Sequence, residues 1–232
     1  MKKIITVLSG AGISAESGLS TFRDSGGLWE GYDVMEVASI QGWHRNKKLV
    51  LEFYNKRRSQ LENVNPNKAH LLIAELEKHF IVNVITQNVD DLHERAGSKN
   101  ITHLHGKLTE ARSSLNESLI YEIGYKEINI GDKAEDGSQL RPNVVWFGEA
   151  VPKMQDAVKL ISDSDIVIVI GTSMVVYPAA ALIDYAPYDS HKFIIDPSKP
   201  ELWKDYKNLE FLEMKASVGM EHLYSRLLSD FT

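Results

Sequence analysis

The chain has 232 residues, of which 43% are hydrophobic and 25% are charged. These values are close to those of ordinary globular proteins, so we expect one large domain, or one domain with a sizeable insertion, and exclude bulk disorder. The net charge of −6 argues against nucleic acid as a main partner, because binding to phosphates needs clustered Lys and Arg. The absence of cysteine excludes disulfides, thiol catalysis and cysteine-based metal sites.

The amino terminus is interpreted as a first strand and not as a targeting signal. Two lysines precede a short apolar run at residues 4–8, whereas a signal-peptide core needs ~7–15 apolar residues. No stretch approaches the ~20 apolar residues that a membrane-spanning helix requires. We therefore expect a cytoplasmic protein with no membrane partner.

Short runs rich in Val and Ile predict buried parallel strands, because they lack the polar alternation of a sheet with one wet face. These runs are residues 4–8, 80–85, 101–104, 144–147, 166–170 and 193–195. Apolar residues at helical spacing predict helices between them, with starts or spans at Asn65-Pro66, 154–161, 178–185 and 218–231. The alternation predicts an α/β fold with a Rossmann-like, doubly wound parallel sheet.

Two stretches do not follow this alternation. Residues 27–64 carry a long helical pattern without a strand, and residues 107–141 are polar with glycine turn points. We predict that both insertions form a small lobe. The Rossmann-like, dinucleotide-binding domain would then be discontinuous, with residues 1–26, 65–106 and 142–232.

Small-residue turns follow two of the predicted strands, at residues 10–12 and 171–173. Ligands bind at the carboxyl ends of the strands in such sheets, where glycine permits close approach to a pyrophosphate. The pattern therefore predicts a dinucleotide site, although a tight turn that serves only the fold is the alternative. No second strand ends in an acidic residue ~20 positions later, which counts against an ordinary Rossmann dehydrogenase.

A dense polar segment, Gln-Asn-Val-Asp at residues 87–90, follows the strand at 80–85. Asn88 or Asp90 could cap the next helix, but a cap accounts for only one of these polar residues. Further on, His103 and His105 alternate along a predicted strand and so share one face. An imidazole there suits proton abstraction near neutral pH; a metal pair is the alternative, but no third ligand is near.

Three segments together resemble the signature of the sirtuin family. They are Gly-Ala-Gly-Ile-Ser-Ala at 10–15, Gln-Asn-Val-Asp at 87–90 and His-Leu-His-Gly at 103–106, each after an apolar run. The loop that contains Phe22 and Arg23 is similar to the sirtuin cofactor-binding loop. The resemblance implies an enzyme that consumes NAD to remove acyl groups from lysine side chains of proteins.

The resemblance also implies roles for residues of this sequence. His105 is the implied general base, and Asn88 and Asp90 hold the nicotinamide end. Asp196 stands where the family usually has Asn; a carboxylate accepts from ribose hydroxyls and repels a 2′-phosphate, which favours NAD over NADP. The implied cofactor contacts are Gly10, Ala11, Gly12, Ser14, Phe22, Arg23, Gln87, Asn88, Asp90, Gly171, Thr172, Ser173 and Asp196.

In the implied mechanism, the acyl oxygen attacks the anomeric carbon of the nicotinamide ribose, and nicotinamide leaves. His105 then activates a ribose hydroxyl, and water completes the transfer to give lysine and O-acyl-ADP-ribose. A protein ADP-ribosyltransferase or an NAD glycohydrolase shares the first step and stays the alternative. A non-catalytic NAD-binding module is a third hypothesis, against which His105, Asn88 and Asp90 speak.

The small lobe departs from the family pattern. Most sirtuins hold a structural zinc there with two cysteine pairs, and this chain has no cysteine, so we expect no zinc. Apolar contacts must then hold the lobe, and the candidates are Leu119, Ile120, Tyr125 and Ile128.

The implied substrate contacts form two groups. Residues 144–149 match the family strand that pairs with the substrate backbone, which implies contacts from Val145, Phe147 and Gly148. The acyl pocket of sirtuin-5-like deacylases, which accept succinyl, malonyl or glutaryl groups as well as acetyl, is matched by Ala38, Tyr54 and Arg57. Spacing of i and i+3 puts the last two on one helix face, where a phenol and a guanidinium suit a carboxylate. The alternative is a solvated basic patch.

Overall fold

Strands and helices alternate along much of the chain in a computed structural model, which describes residues 2–20, 28–29, 31–174 and 177–232. The strands in these ranges are β1 (Ile4–Ser9), β2 (Leu28–Trp29), β3 (Tyr32–Asp33), β4 (Ile81–Thr86), β5 (Ile101–His103), β6 (Gly106–Ser113), β7 (Ile120–Glu122), β8 (Leu140–Val144), β9 (Ile166–Ile170), β10 (His191–Asp196) and β11 (Leu209–Glu213). The α-helices are α1 (Ala11–Ala15), α2 (Val34–Val37), α3 (Ile40–Arg45), α4 (Lys47–Glu62), α5 (Lys68–Glu75), α6 (Leu92–Ala96), α7 (Met154–Ser162) and α8 (Ala216–Phe231), and 3₁₀ helices span Leu76–Lys78 and Ala179–Tyr185. Among the helices of the described ranges, none combines the length and the apolar character that crossing a membrane requires.

Six strands form a central sheet in the order β11-β10-β9-β1-β4-β5. All neighbours pair in parallel, so the α/β prediction is confirmed. The chain builds outward from β1 through β4 and β5, and then from β9 through β10 and β11, as in dinucleotide-binding doubly wound sheets. The direction reverses between β1 and β9, and ligands bind such sheets at the carboxyl ends of the strands at this switch point.

Helices cover both faces of the central sheet. All five residues of β9 are buried, which is what two covered faces require. One face is packed by α5 and α8, where Ile5 and Leu223 share a core cluster. The other face is packed by α7 and the second 3₁₀ helix, where Leu8 and Ile161 share another. Full burial of such a side chain stabilises the folded state by ~1.5–3 kcal/mol. The packed sheet therefore holds the ends of its strands in fixed positions.

A third cluster joins the insertions. Phe53 of α4, Leu108 of β6 and Val144 of β8 belong to it, and β6 pairs antiparallel with β7 and β8. This grouping uses the stretches at 27–64 and 107–141. The division of the chain into a discontinuous dinucleotide-binding domain and a small lobe, with its boundaries, stays a prediction.

Two strand predictions need correction. The predicted parallel strand at 144–147 is wrong, because β8 ends at Val144 and pairs antiparallel with β6. Phe147 is 44% exposed and lies outside the named strands, in an isolated parallel bridge with Ser39. Strand β11, Leu209–Glu213, was not predicted; four of its five residues are only partly buried or exposed, so it lacks the apolar run on which the prediction relied.

The start of α5 also differs from the prediction. Asn67, and not Asn65, is the residue before the first helical turn. Its side-chain oxygen accepts from the N–H of Ala69 at 3.0 Å, and its own N–H donates to His70 Nδ1 at 3.4 Å. Either asparagine could cap a helix by its residue type, so residue type alone did not distinguish Asn65 from Asn67.

Polar contacts, in addition to apolar ones, hold the small lobe. Ile128 is buried, but Ile120 is 50% exposed, so the apolar prediction is wrong for Ile120. Ser113 Oγ lies 2.6 Å from a carboxylate oxygen of Asp136 and 2.8 Å from Ser138 Oγ, which ties β6 to the loop before β8. Among the described residues, no group of three or more His, Cys, Asp or Glu has the arrangement of a metal site.

Two buried histidines lie on neighbouring helices, His70 on α5 and His93 on α6. His70 and His93 pack edge to face with their ring centroids 4.9 Å apart. Burial lowers the pKa of His70 to about 4, and burial together with the neighbouring histidines lowers the pKa of His93 as well. The folded chain therefore keeps both rings neutral where the unfolded chain protonates them.

We expect acid to destabilise the fold through His70. Between its usual pKa of about 6.5 and its folded pKa of about 4, the unfolded state binds the additional proton, so the free energy of unfolding falls as pH falls through this window. One pKa unit corresponds to ~1.4 kcal/mol, so His70 alone costs about 2 kcal/mol between about pH 7 and pH 5. Urea unfolding of His70→Gln should show a correspondingly smaller acid loss, whereas His79→Gln, at an exposed position, should match the unmodified chain. An unchanged loss in His70→Gln would contradict the assignment.

Candidate active site

The turns after β1 and β9 meet at the switch point of the sheet. Gly10 N–H donates to the Ile170 carbonyl at 3.0 Å, and Gly12 N–H donates to the Gly171 carbonyl at 2.8 Å. A Cβ on Gly171, which has a φ of +62°, would lie 2.2 Å from the Ile13 nitrogen. These glycines are therefore required for the close approach of the two turns, which is the structural role that the sequence had left open beside ligand contact.

The polar segment after β4 is bound to the first turn. Asn88 Nδ2 donates to the Gly10 carbonyl at 3.1 Å and to Ser14 Oγ at 3.2 Å. Ser14 Oγ in turn donates to Asp90 Oδ2 at 2.9 Å. The other Asp90 oxygen accepts from the N–H of Leu92 at 3.2 Å. Asp90 thus contacts the start of α6 and also joins the site network, but the residue that precedes the helix is Asp91, whose side chain makes no capping hydrogen bond. The capping alternative for Asn88 or Asp90 is therefore wrong.

Asp90 is a buried carboxyl group. Burial raises its pKa, and the hydrogen bonds from Ser14 and Leu92 oppose that shift. The network of Ser14, Asn88 and Asp90 therefore supplies a desolvated acceptor whose orientation is fixed by two donors, which is suited to gripping hydroxyl or amide groups of a ligand.

His105 lies two residues beyond the end of β5, beside this network. Its Nδ1 is 2.9 Å from the Gln87 carbonyl oxygen, and because a carbonyl only accepts, Nδ1 carries the hydrogen. Burial lowers the pKa of His105, opposed by the bond to Gln87. The ring is thus held neutral near pH 7 with the lone pair on Nε2, the form that a general base needs.

The ends of β4, β9 and β10 complete the candidate site. Gln87 Nε2 donates to Thr172 Oγ1 at 3.3 Å, and Gly171 N–H donates to the Ile195 carbonyl at 3.0 Å. Asp196, which ends β10, is buried, and its Oδ1 accepts from the N–H of Ser198 at 2.9 Å. Ala11 begins α1, and Ser173 follows Thr172, at the same edge of the sheet. The predicted residues Phe22 and Arg23 lie outside the described residues.

The predicted peptide-binding segment runs past the histidine. Val145 N–H donates to the His105 carbonyl at 2.9 Å, and Phe147 N–H donates to the Ala38 carbonyl at 2.9 Å. Gly148 follows with a φ of +91°. Val145 and Phe147 therefore connect this segment to the backbone of His105 and of Ala38.

The comparison with known protein families decides the family. The profile of the Sir2 family matches residues 10–178, which include the turns, the polar segment and the histidine. The chain belongs to the Sir2 family. The sirtuin resemblance inferred from the three short segments is thereby confirmed, whereas the sirtuin-5-like subclass stays a prediction.

Individual Sir2 relatives align over nearly the whole chain. An NAD-dependent protein deacylase of Helicobacter pylori (strain ATCC 700392 / 26695) is 53% identical over 97% of this chain and 98% of its own. One of Bacteroides thetaiotaomicron is 52% identical, over 97% and 98%. A solved complex of a Sir2 homologue with NAD has a TM-score of 0.88 at 38% identity, over 100% of this chain and 91% of that one. A Sir2 complex with a p53 peptide and NAD⁺ has a TM-score of 0.78 at 28% identity, over 99% and 93%.

Two of the three acyl-pocket residues predicted for this Sir2 chain, Tyr54 and Arg57, lie on α4, whereas Ala38 directly follows α2. Tyr54 is fully buried, and its hydroxyl accepts from Trp146 Nε1 at 3.0 Å. Burial raises the pKa of Tyr54 to about 12, so the phenol stays protonated. Arg57 is partly exposed, and its guanidinium carbon lies 5.8 Å from the centre of the Phe53 ring. Spacing of i and i+3 thus places the two side chains at different depths.

Trp146 also supports the candidate site, and this role was not predicted from the sequence. The Arg141 guanidinium stacks 3.3 Å from the centre of its ring, and Glu149 accepts from its backbone N–H at 2.8 Å. Glu149 also pairs with Arg141 at 2.7 Å. Together with the bond to Tyr54, these contacts fix the segment that carries Val145 and Phe147. The only signal in the sequence was a tryptophan among the predicted substrate residues.

Proposed function

We propose that this Sir2 chain removes acyl groups from lysine side chains of proteins, with His105 as general base and Asn88 and Asp90 holding the nicotinamide end of NAD. Acyl-lysine, NAD and water would give lysine, nicotinamide and O-acyl-ADP-ribose. The observation that carries the proposal is the single hydrogen-bonded network that joins Ser14, Asn88 and Asp90 to the glycine turn at the switch point, with a neutral imidazole beside it.

The class of enzyme and its co-substrate follow from the comparisons. Membership of the Sir2 family and more than 50% identity to two NAD-dependent protein deacylases confirm the predicted NAD-dependent deacylase. The predicted NAD is confirmed by the same relatives and by a structural neighbour in complex with NAD. The cytoplasmic location expected from the sequence stays a prediction.

The residues present fit NAD at the strand ends. When bound, NAD would supply the glycosidic bond between ribose and nicotinamide, with nicotinamide as the leaving group. Asp196 offers a buried carboxylate at the end of β10, which is suited to accept from ribose hydroxyls and would repel a 2′-phosphate. Asn88 and Asp90 offer a donor and an acceptor at the end of β4, and Nε2 of His105 can take a proton from a hydroxyl placed beside it.

We further propose that acidic acyl groups, such as succinyl, malonyl or glutaryl, are preferred to acetyl. The support is a partly exposed guanidinium, Arg57, one helical turn from a phenol that is still protonated at neutral pH, Tyr54. The Tyr54 oxygen accepts from Trp146, so its own O–H is left to donate. A carboxylate at the end of an acyl chain would be matched by both groups.

Product analysis tests the proposed function. The enzyme is incubated with NAD and matched peptides that carry acetyl-, succinyl- or glutaryl-lysine, and the products are weighed by mass spectrometry. We expect free lysine peptide and O-acyl-ADP-ribose in equal amounts, with faster turnover of the acidic acyl groups. Free ADP-ribose without deacylated peptide would indicate an NAD glycohydrolase, and ADP-ribose attached to protein would indicate a transferase; either result would contradict the proposal.

A further inference from the structure

Two histidines hold adjacent carbonyl groups of the polar segment. His105 Nδ1 lies 2.9 Å from the Gln87 carbonyl oxygen, and His103 Nδ1 lies 3.1 Å from the Asn88 carbonyl oxygen. Since carbonyl oxygens only accept, each ring donates from Nδ1. The alternation of the two rings along the chain is thus matched to consecutive peptide groups.

The two rings differ at Nε2. His103 Nε2 lies 2.8 Å from Glu94 Oε1. Burial raises the pKa of Glu94, but the hydrogen bond and the charge of His103, with Lys107 at 3.8 Å, outweigh it and hold the pKa below its usual value. Both ring nitrogens of His103 therefore face acceptor oxygens of the protein. In His105, by contrast, a hydrogen bond is described for Nδ1 alone.

Glu94 connects His103 to a second element of the fold. It lies in α6, the helix that begins directly after the polar segment, whereas His103 ends β5. The bridge therefore spans the segment from helix to strand, and the Asn88 peptide is held in the middle. The Asn88 side chain then reaches Gly10 and Ser14.

We propose that His103, held by Glu94, is a positioning residue that fixes the Asn88 peptide and thereby aims Asn88 and Asp90 at the nicotinamide end of NAD. This inference rests on the proposed roles of Asn88 and Asp90. A displacement of ~1 Å in such a group can lower a rate by ~10². The loss should appear in the step that releases nicotinamide, which precedes the step assigned to His105.

Single-turnover kinetics separate the two histidines. In His103→Phe, which keeps an aromatic ring without N–H groups, we expect nicotinamide release to slow by about 10- to 100-fold, with deacylated peptide appearing in step with nicotinamide and with KM for NAD changed by less than about 3-fold. In His105→Ala we expect nicotinamide release to outrun the deacylated peptide. His79→Phe, at an exposed position, is the matched control.

Glu94 supplies the rescue test. Glu94→Gln keeps a hydrogen-bond partner for His103 Nε2 and should retain most of the rate, whereas Glu94→Met should lose as much as His103→Phe. Glu94→Met leaves β5 unaltered and carries the test if His103→Phe does not fold. The proposal is overturned if folded His103→Phe and Glu94→Met release nicotinamide at the normal rate, or if Glu94→Gln is as slow as Glu94→Met. A wild-type enzyme that yields free ADP-ribose would sink the proposed deacylation, while slowed nicotinamide release in the His103 variant would still support positioning.

Discussion

Replacing His105 with alanine is expected to lower the deacylation rate by ~10²–10⁴-fold, which is the usual cost of losing a general base. The ring donates to the Gln87 carbonyl from Nδ1, and this bond orients Nε2. The variant loses that oriented base. NAD binding should change little, because Ser14, Asn88 and Asp90 keep their mutual bonds. The rate is measured with an acyl-lysine peptide, and NAD binding by calorimetry.

The matched control for this prediction is His79→Ala, which removes an exposed histidine outside the polar segment. It should have the wild-type rate. A His105→Ala enzyme within a few-fold of wild type would remove His105 from the mechanism. Loss of NAD binding together with activity would instead assign His105 to the support of the Gln87 peptide.

The pH profile carries the same argument. Burial places the pKa of His105 below the usual value of 6.5, and the base works as neutral imidazole. As pH falls, kcat/KM should therefore be retained through about pH 6.5 and lost only below it. An acid limb centred above the usual histidine pKa would contradict the assignment, since it would require a ring that holds its proton more tightly than in water.

The parts of this protein that could be predicted from the sequence are those in which a pattern of residues fits a single structure. A strand with both faces covered must be apolar throughout, so β9 was predicted with its exact bounds. Strand β11 lies at the edge of the sheet with a polar pattern, and nothing local distinguishes it from a loop. The run at 144–147 is apolar for a different reason, since Trp146 is buried by Arg141 and Tyr54 and not by a parallel sheet.

The candidate site divides in the same way. The glycine turns and the polar segment were found because each follows a predicted strand, and strands of a parallel sheet end at one edge. The individual hydrogen bonds of the turns could not be predicted: Gly10 donates to the last residue of β9, and Gly12 donates to the residue after it, and both are distant in sequence. The depth of Tyr54 likewise depends on Trp146, and helical spacing alone cannot report it.

Arg57 is the residue that we expect to decide the choice of acyl group. Tyr54 is fully buried, so the partly exposed guanidinium one turn later is the charge that an incoming carboxylate meets. Arg57→Met keeps much of the side chain's length and removes the charge. Turnover of a succinyl-lysine peptide should then fall by very roughly 30-fold or more, because truncating one partner of a desolvated charge pair costs about 2–5 kcal/mol.

Acetyl turnover should change far less in Arg57→Met, since a methyl group offers the guanidinium no partner. Values of kcat/KM for matched succinyl and acetyl peptides measure the difference, and Lys56→Met, which removes a positive charge from the adjacent exposed position, is the control that should spare both substrates. Equal losses on both peptides in Arg57→Met would show that Arg57 supports the fold or the cofactor loop. A wild-type enzyme that prefers acetyl to succinyl would contradict the proposed pocket for acidic acyl groups, because the Arg57 guanidinium would then meet no carboxylate in the natural reaction.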